Sequence, residues 1–244
     1  MNSGLYAACA GLLARTQALE LAANNLANLN TTGYKAQVPT FRSLLATASA
    51  SVTGDTISQS VNDFGVLGES RTDGLQGSLE HTGSDLDFAI EGDGWFAVQS
   101  GTGRLYTRNG NFHIDAKGRL VTAEGSVVAG IDGAINIPPG QLSVSSDGTI
   151  SVDGALAGQL NIVSFAPGTP LTPTGNTYFE APAGSERPAG GKLMQGSLEG
   201  SNVNGVMAAV GLVALQRNAD LLQQALTAFH SNFNRIAAQD LSRI

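Results

Sequence analysis

The residue pattern predicts an α+β protein: long N- and C-terminal helices forming a coiled-coil domain, with a compact mainly-β domain inserted between them. Three observations predict it. Apolar residues recur every seven positions at both ends of the 244-residue chain. Short apolar or alternating runs fill the middle, punctuated by Asp-Gly and Asn-Gly pairs. Composition agrees, because 31 glycines and only 14% charged residues suit a turn-rich β protein better than a helical enzyme.

The N-terminal helix rests on Leu5, Leu12, Leu19 and Leu26, spaced by seven. Ala8, Ala22 and Leu29 fill most of the matching positions three residues on, and Arg15 interrupts that row. The spacing predicts a heptad seam across roughly residues 3–29, with small residues allowing close helix approach. Its end, "AANNLANLNTTGYKA" (22–36), carries Asn24, Asn25, Asn28 and Asn30 beside Leu26 and Leu29. Asn competes for backbone groups and is a mediocre helix former. Asn24 and Asn28 share a helical face, where amides satisfy each other or backbone groups across a repeated interface. The alternative, fraying of the helix into the "NTTG" turn, stays open at this point.

Residues 36–74 are Ser/Thr/Ala-rich with little periodicity and read as an extended connector. Residues 75–190 form the β-rich domain. Its runs are "LDFAIEGDGWFAVQ", "RLYTRNGNFHIDAKGRLVTAEGSVVAGI" and "QLSVSSDGTISVDGALAGQLNIVSFA". The pairs Asp93-Gly94, Asn109-Gly110, Asp132-Gly133, Asp147-Gly148 and Asp153-Gly154 supply the positive φ angles of tight hairpins. A Pro-rich stretch (166–191) reads as irregular surface or a stalk leading back to the helical end, and residues 191–199 as a return linker.

The C-terminal segment repeats the heptad device with Leu215, Leu222, Phe229 and Ile236, accompanied by Leu212, Ala219, Leu226 and Phe233. Val203, Val206, Val210 and Val213 extend the apolar pattern backward, with Ser201 or Asn202 as N-cap. One helix over 203–241 would be about 60 Å long. Residues 1–35 and 200–244 together make the discontinuous helical domain. A single pair of such helices is marginal alone, so the seams are expected to meet neighbouring copies. The candidate assembly interface comprises Leu5, Leu12, Leu19, Asn24, Asn25, Leu26, Asn28, Leu215, Leu222, Leu226, Phe229, Phe233 and Ile236.

Other functions find no support. The net charge of -7 lacks the basic footprint of a nucleic-acid binder or an anionic-membrane binder. The only cysteine, Cys9, excludes an internal disulfide and a Cys-cluster metal site. The start "MNSGLYAACAGLLART" has no basic n-region or continuous h-region, so a cleavable secretory signal peptide is not expected. The run "VMAAVGLVAL" is about half the ~20 residues a spanning helix needs. His81, His113 and His230 are isolated, and no Asp-x-Asp-x-Asp-Gly loop, Walker loop or Gly-x-Ser-x-Gly elbow occurs. Glu91 and Asp93 beside Trp95 invite a glycosidase reading, but a carboxylate pair at a turn lacks the pocket and the second, differently tuned acid. The sequence thus predicts no enzyme, no cofactor, no metal and no small-molecule substrate.

Several phrases together resemble one family. "GLYAACAGLLARTQALELAANNLANLNTTGYKA" (4–36) is similar to the N-terminal signature of bacterial flagellar rod and hook proteins. "GSLEHTGSDLDFAIEGDGWFAVQ" (77–99), "YTRNGNFHIDAKGRLVTAEG" (106–125) and "GSLEGSNVNGVMAAVGLVALQRNADLLQQAL" (196–226) resemble further phrases of that family. The resemblance implies a structural subunit of the basal-body rod, exported unfolded by the flagellar type III apparatus. It also implies partners among copies of itself and other rod and hook proteins, and a place in the periplasm-spanning drive shaft. The short β domain and the start "MNSGLYAA" favour the proximal-rod F type over the distal-rod G type. The rival class is an exported carbohydrate-binding or carbohydrate-active β protein with helical oligomerisation tails, centred on Trp95.

Overall fold

In a computed structural model of the chain, the described residues are 2–42, 66–67, 70–101, 103–175 and 177–241. The chain divides into two compact units. One holds Met1–Leu26, Gln37–Arg71 and Asn204–Ile244, the other Ala27–Ala36 and Thr72–Val203.

The first unit contains the two α-helices of the described residues, α1 (Asn2–Ala27) and α2 (Gly205–Leu241). Helix α1 stops at Ala27 because the next residue is drawn into a turn. The Thr31 amide donates to the Asn28 carbonyl, and the Thr31 hydroxyl donates to Asn28 Oδ1 at 3.1 Å. Helix α2 starts two residues later than the apolar pattern predicts. Asn204, not Ser201 or Asn202, is the N-cap, its Oδ1 accepting from the Met207 amide at 3.0 Å. Asn202 is unavailable for capping because its amide is bound elsewhere, as described below.

The predicted coiled-coil domain is not formed. In α1 the deepest burial falls on Ala14 and Ala18 (5% and 1% exposed), while Leu12 and Leu19 are only half-buried and Leu13 is exposed. In α2, Val206, Met207, Val210, Val213 and Leu221 all face solvent. Heptad spacing specifies an apolar stripe along a helix; it does not specify the partner whose side chains must close over that stripe. The chain is instead strand-rich. Most of the expected connector, residues 43–65, lies outside the described residues. Its flanks carry four two-residue strands, β1 (Gln37–Val38), β2 (Phe41–Arg42), β3 (Val66–Leu67) and β4 (Arg71–Thr72). Strands β2 and β3 pair antiparallel, Phe41 opposite Leu67.

The second unit is built of short antiparallel strands. They run β5 (Leu79–His81), β6 (Phe88–Glu91), β7 (Trp95–Ser100), β8 (Gly103–Thr107), β9 (Phe112–Ile114), β10 (Leu120–Thr122), β11 (Val127–Gly130) and β12 (Gly133–Ala134). Next come β13 (Leu142–Val144), β14 (Thr149–Val152), β15 (Ala155–Gln159), β16 (Ile162–Phe165), β17 (Thr172–Pro173) and β18 (Tyr178–Glu180). The last are β19 (Glu186–Pro188), β20 (Lys192–Gln195) and β21 (Ser197–Glu199).

The main sheet has the order β17-β18-β8-β7-β11-β10-β9, with β16 pairing the Trp95–Phe96 end of β7 and β11 its Val98–Gln99 end. Strand β7 is central, and both of its faces are covered. Phe96 and Val98 enter the larger apolar core with Phe88, Ile90, Phe112, Leu120 and Ile150. Trp95 and Ala97 enter a second core with Tyr106, Val163 and Phe179. The period-2 alternation of a strand therefore feeds two cores from one run.

Three of the Asp-Gly pairs join paired strands: Asp132-Gly133 links β11 to β12, Asp147-Gly148 links β13 to β14, and Asp153-Gly154 links β14 to β15. At the last, Asp153 (φ 50°) and Gly154 (φ 81°) both take positive φ, as a two-residue hairpin turn requires. Asp93-Gly94 and Asn109-Gly110 depart from that expectation. Strands β6 and β7 do not pair, and neither do β8 and β9. Gly110 is needed for a different reason: a Cβ there would stand 1.7 Å from the Phe88 carbonyl oxygen.

Candidate functional site: a buried ion triad and an exposed apolar helix face

Within the second unit, residues 27–36 lie across the β structure and deliver a lysine into it. After the turn at Asn28–Thr31, the Tyr34 amide donates to the Thr31 carbonyl and the Gly33 amide to the Glu199 carbonyl, at 3.2 and 2.7 Å. Gly33 sits at φ 70°, and a Cβ would meet the Asn109 nitrogen at 2.2 Å, so only glycine fits. Asn202 secures the far end. Its Oδ1 accepts from the Ala36 amide at 2.7 Å, while its Nδ2 donates to the carbonyls of Asp73 and Leu75.

Lys35 Nζ then lies 2.6 Å from Glu199 Oε1, and Arg108 Nη1 lies 3.0 Å from Glu199 Oε2. Lys35 and Glu199 are 1% and 0% exposed, and Arg108 is also buried. The Gly77 amide donates to Glu199 Oε1, and Lys35 Nζ donates to the Leu75 carbonyl. Arg108 donates further to the carbonyls of Ile90 and Gly92, and its guanidinium carbon stands 5.6 Å from the Trp95 ring centroid. Its Nε alone has no partner. Burial pulls the Lys35 pKa below the ordinary lysine value, and the Glu199 carboxylate opposes that shift. Two buried cations share one carboxylate. Sealed from water, the triad offers no nucleophile or proton relay to a substrate; its chemistry is that of a fastening.

The residues expected at an assembly interface fall in several places. Leu12, Leu19 and Leu26 of α1 and Leu215 and Leu222 of α2 are half-buried. The side chains of Leu5, Leu226, Phe229, Phe233 and Ile236 lie outside the described residues. Asn24 is exposed. Asn25 is bound within its own unit: its Nδ2 donates to the Gln37 carbonyl and its Oδ1 accepts from the Gln37 amide, at 2.8 and 2.9 Å. Asn28 is buried in the turn that ends α1. Trp95 is buried edge-on against Phe179, with ring centroids 5.0 Å apart, and offers no open face for a sugar to stack on.

Sequence reasoning missed Lys35, Arg108 and Glu199. A signal existed for Glu199: in "GSLEG" the alternation of β21 puts Ser197 and Glu199 on one face, and both are buried. An inward carboxylate demands cations. Nothing local reveals which cations, because they lie 164 and 91 residues away.

Three family models match separate parts of the chain. "Flagella basal body rod protein" covers residues 5–35, "Flagellar hook protein FlgE/F/G D1 domain" residues 89–152, and "Flagellar basal body rod FlgEFG protein C-terminal" residues 194–239. Each contributes one member of the triad. Among relatives, flagellar basal-body rod protein FlgF of Mesorhizobium japonicum is 32% identical over 225 residues, covering 89% of this chain and 89% of its own. Flagellar basal-body rod protein FlgG of Bacillus subtilis is 34% identical over 227 residues, covering 84% and 86%. FlgF of Escherichia coli is 29% identical over 253 residues, covering 96% and 97%. The matched families and relatives define the class as a structural protein of the bacterial flagellum. The chain belongs to the flagellar basal-body rod protein family, as a structural rod subunit of F or G type. F and G relatives match to similar extents, so the similarity does not favour the F type.

Proposed function

We propose that this chain polymerises with copies of itself and other rod and hook proteins into the periplasm-spanning rod of the flagellar basal body, without enzymatic activity. It reaches that place through the flagellar type III export apparatus. The observation that carries the reading is the apolar face of α2. Val206 and Met207 are 75% and 69% exposed, and Val210, Val213 and Leu221 are exposed with them. Covering such side chains contributes roughly 1.5–3 kcal/mol each, and a patch of this kind marks an interaction surface. The half-buried Leu12, Leu19 and Leu26 of α1 and Leu215 and Leu222 of α2 belong to the same assembly surfaces, with Asn24 as an exposed polar contact.

The test is to place a charge on this surface. Val210→Asp and Leu222→Asp, each in an otherwise intact cell, are expected to abolish swimming in soft agar and to leave purified basal bodies without the subunit. Trp95 fluorescence of the purified variants should stay that of the folded β unit. Wild-type motility in both variants would sink the reading.

A further inference from the structure

We infer that residues 27–36 are a strap that detaches from and closes over the β unit as one step, with the β unit remaining folded when the strap is open. This goes beyond the assembly reading and does not rest on it.

Charge accounting is the first support. When Lys35 leaves, Glu199 keeps Arg108 Nη1 and the Gly77 amide. The β unit is then left with a paired carboxylate and guanidinium, and the departing ammonium goes to water. Opening therefore strands no buried charge. The second support is packing. Tyr34 and Lys35 are buried, yet no residue of 27–36 belongs to either apolar core of the unit. The third is how the strap is held. Its long-range ties include Gly33 to Glu199, Tyr34 to Asn202, Ala36 to Asn202 and Asp73, and Lys35 to Leu75 and Glu199, all of them single polar bonds rather than a ladder. No residue of 27–36 is in a strand ladder. The fourth is chain distance: the partners of Lys35 and Ala36 at Glu199 and Asn202 lie 164 and 166 residues on. Closure waits until the last strand of the β unit is in place, whereas the hairpins of β13, β14 and β15 need only local contacts.

Native-state hydrogen exchange on the full chain tests this, followed in low urea at the amides of Gly33 and Ala36 and at those of Ala97 and Leu120. In the unaltered protein the strap amides are expected to exchange through an opening at least 100-fold more frequent than the one exposing the core amides. Exchange of both sets through one common opening overturns the inference. Lys35→Glu sets a like charge against Glu199 and is expected to abolish strap protection while core protection stays within about threefold. Lys35→Arg should retain strap protection. If Lys35→Glu unfolds strap and core together, or leaves the strap protected, the strap is not separable and the inference fails.

Discussion

Glu199 accepts from Lys35, Arg108 and the Gly77 amide at once, and it is the one carboxylate that both buried cations share. Glu199→Gln differs from a change at Lys35. Lysine can carry its charge out to water with the strap, but Arg108 belongs to β-unit structure beside Trp95 and cannot leave. Stranding one member of a buried pair costs about 3–5 kcal/mol. Glu199→Gln is therefore expected to lower the urea midpoint of the Trp95 transition by that equivalent, and an unchanged midpoint would contradict the role given to the triad. The residue scale is also where the sequence was least legible. Nothing within "TGYKA" or "YTRNG" marks Lys35 or Arg108 for burial, because burial is decided by segments folded far away along the chain. The Asn cluster was legible in part. Asn28 in its turn follows from Asn's local hydrogen bonding, while Asn25 serves as an artificial strand partner for Gln37, a role no local rule announces.

At the scale of elements, period and punctuation carried most of the reading. The run "WFAVQ" folds as β7, and the Asp147-Gly148 and Asp153-Gly154 turns close hairpins, because these depend on neighbours within a few residues. Asn109-Gly110 has the same chemistry but a different use, since Gly110 lets the backbone pass against Phe88 and Gly33 passes against Asn109. The coiled coil does not form because an apolar stripe does not name its partner. Strand β19 offers a test between elements. Glu186 takes hydrogen bonds from the Tyr106 hydroxyl and Arg104 of β8. Burial raises its pKa, but those hydrogen bonds prevail and hold it below the ordinary glutamate value. The folded state thus favours the charged form, and the resulting stability is present above the unfolded pKa of about 4.3 and lost as pH falls through the lower folded value. Replacing Glu186 with Gln should cost up to about 1 kcal/mol at pH 7, the pair being partly exposed. The gap between variant and parent should narrow as the pH is lowered from 7 through the carboxylate range. A gap in melting temperature that stays constant over that range would rule out the ion pair as its source.

The whole molecule sets two kinds of stability side by side in one chain. Among the described residues, the large fully buried side chains all belong to the β unit, whereas the helical unit's only deeply buried apolar side chains are Ala14 and Ala18. Isolated helices draw most of their stability from packing of an apolar face, and the faces of α2 that would supply it point to water. Two probes separate the units cleanly. The chain's single tryptophan, Trp95, lies in the β unit. Ellipticity at 222 nm comes mainly from α1 and α2, which have 26 and 37 residues. Urea unfolding of the dilute chain is therefore expected to give two transitions, with helix ellipticity falling first and Trp95 fluorescence changing at a midpoint at least about 1 M higher, given slopes of ~1–3 kcal/mol per molar. Raising protein concentration should move the helix transition toward the tryptophan one, because self-association covers the apolar faces and stabilises only the ordered helices. Coincident transitions at every concentration would show that the helices are as firmly held in the lone chain as the β unit is. The exposed faces would then need no neighbours to order them.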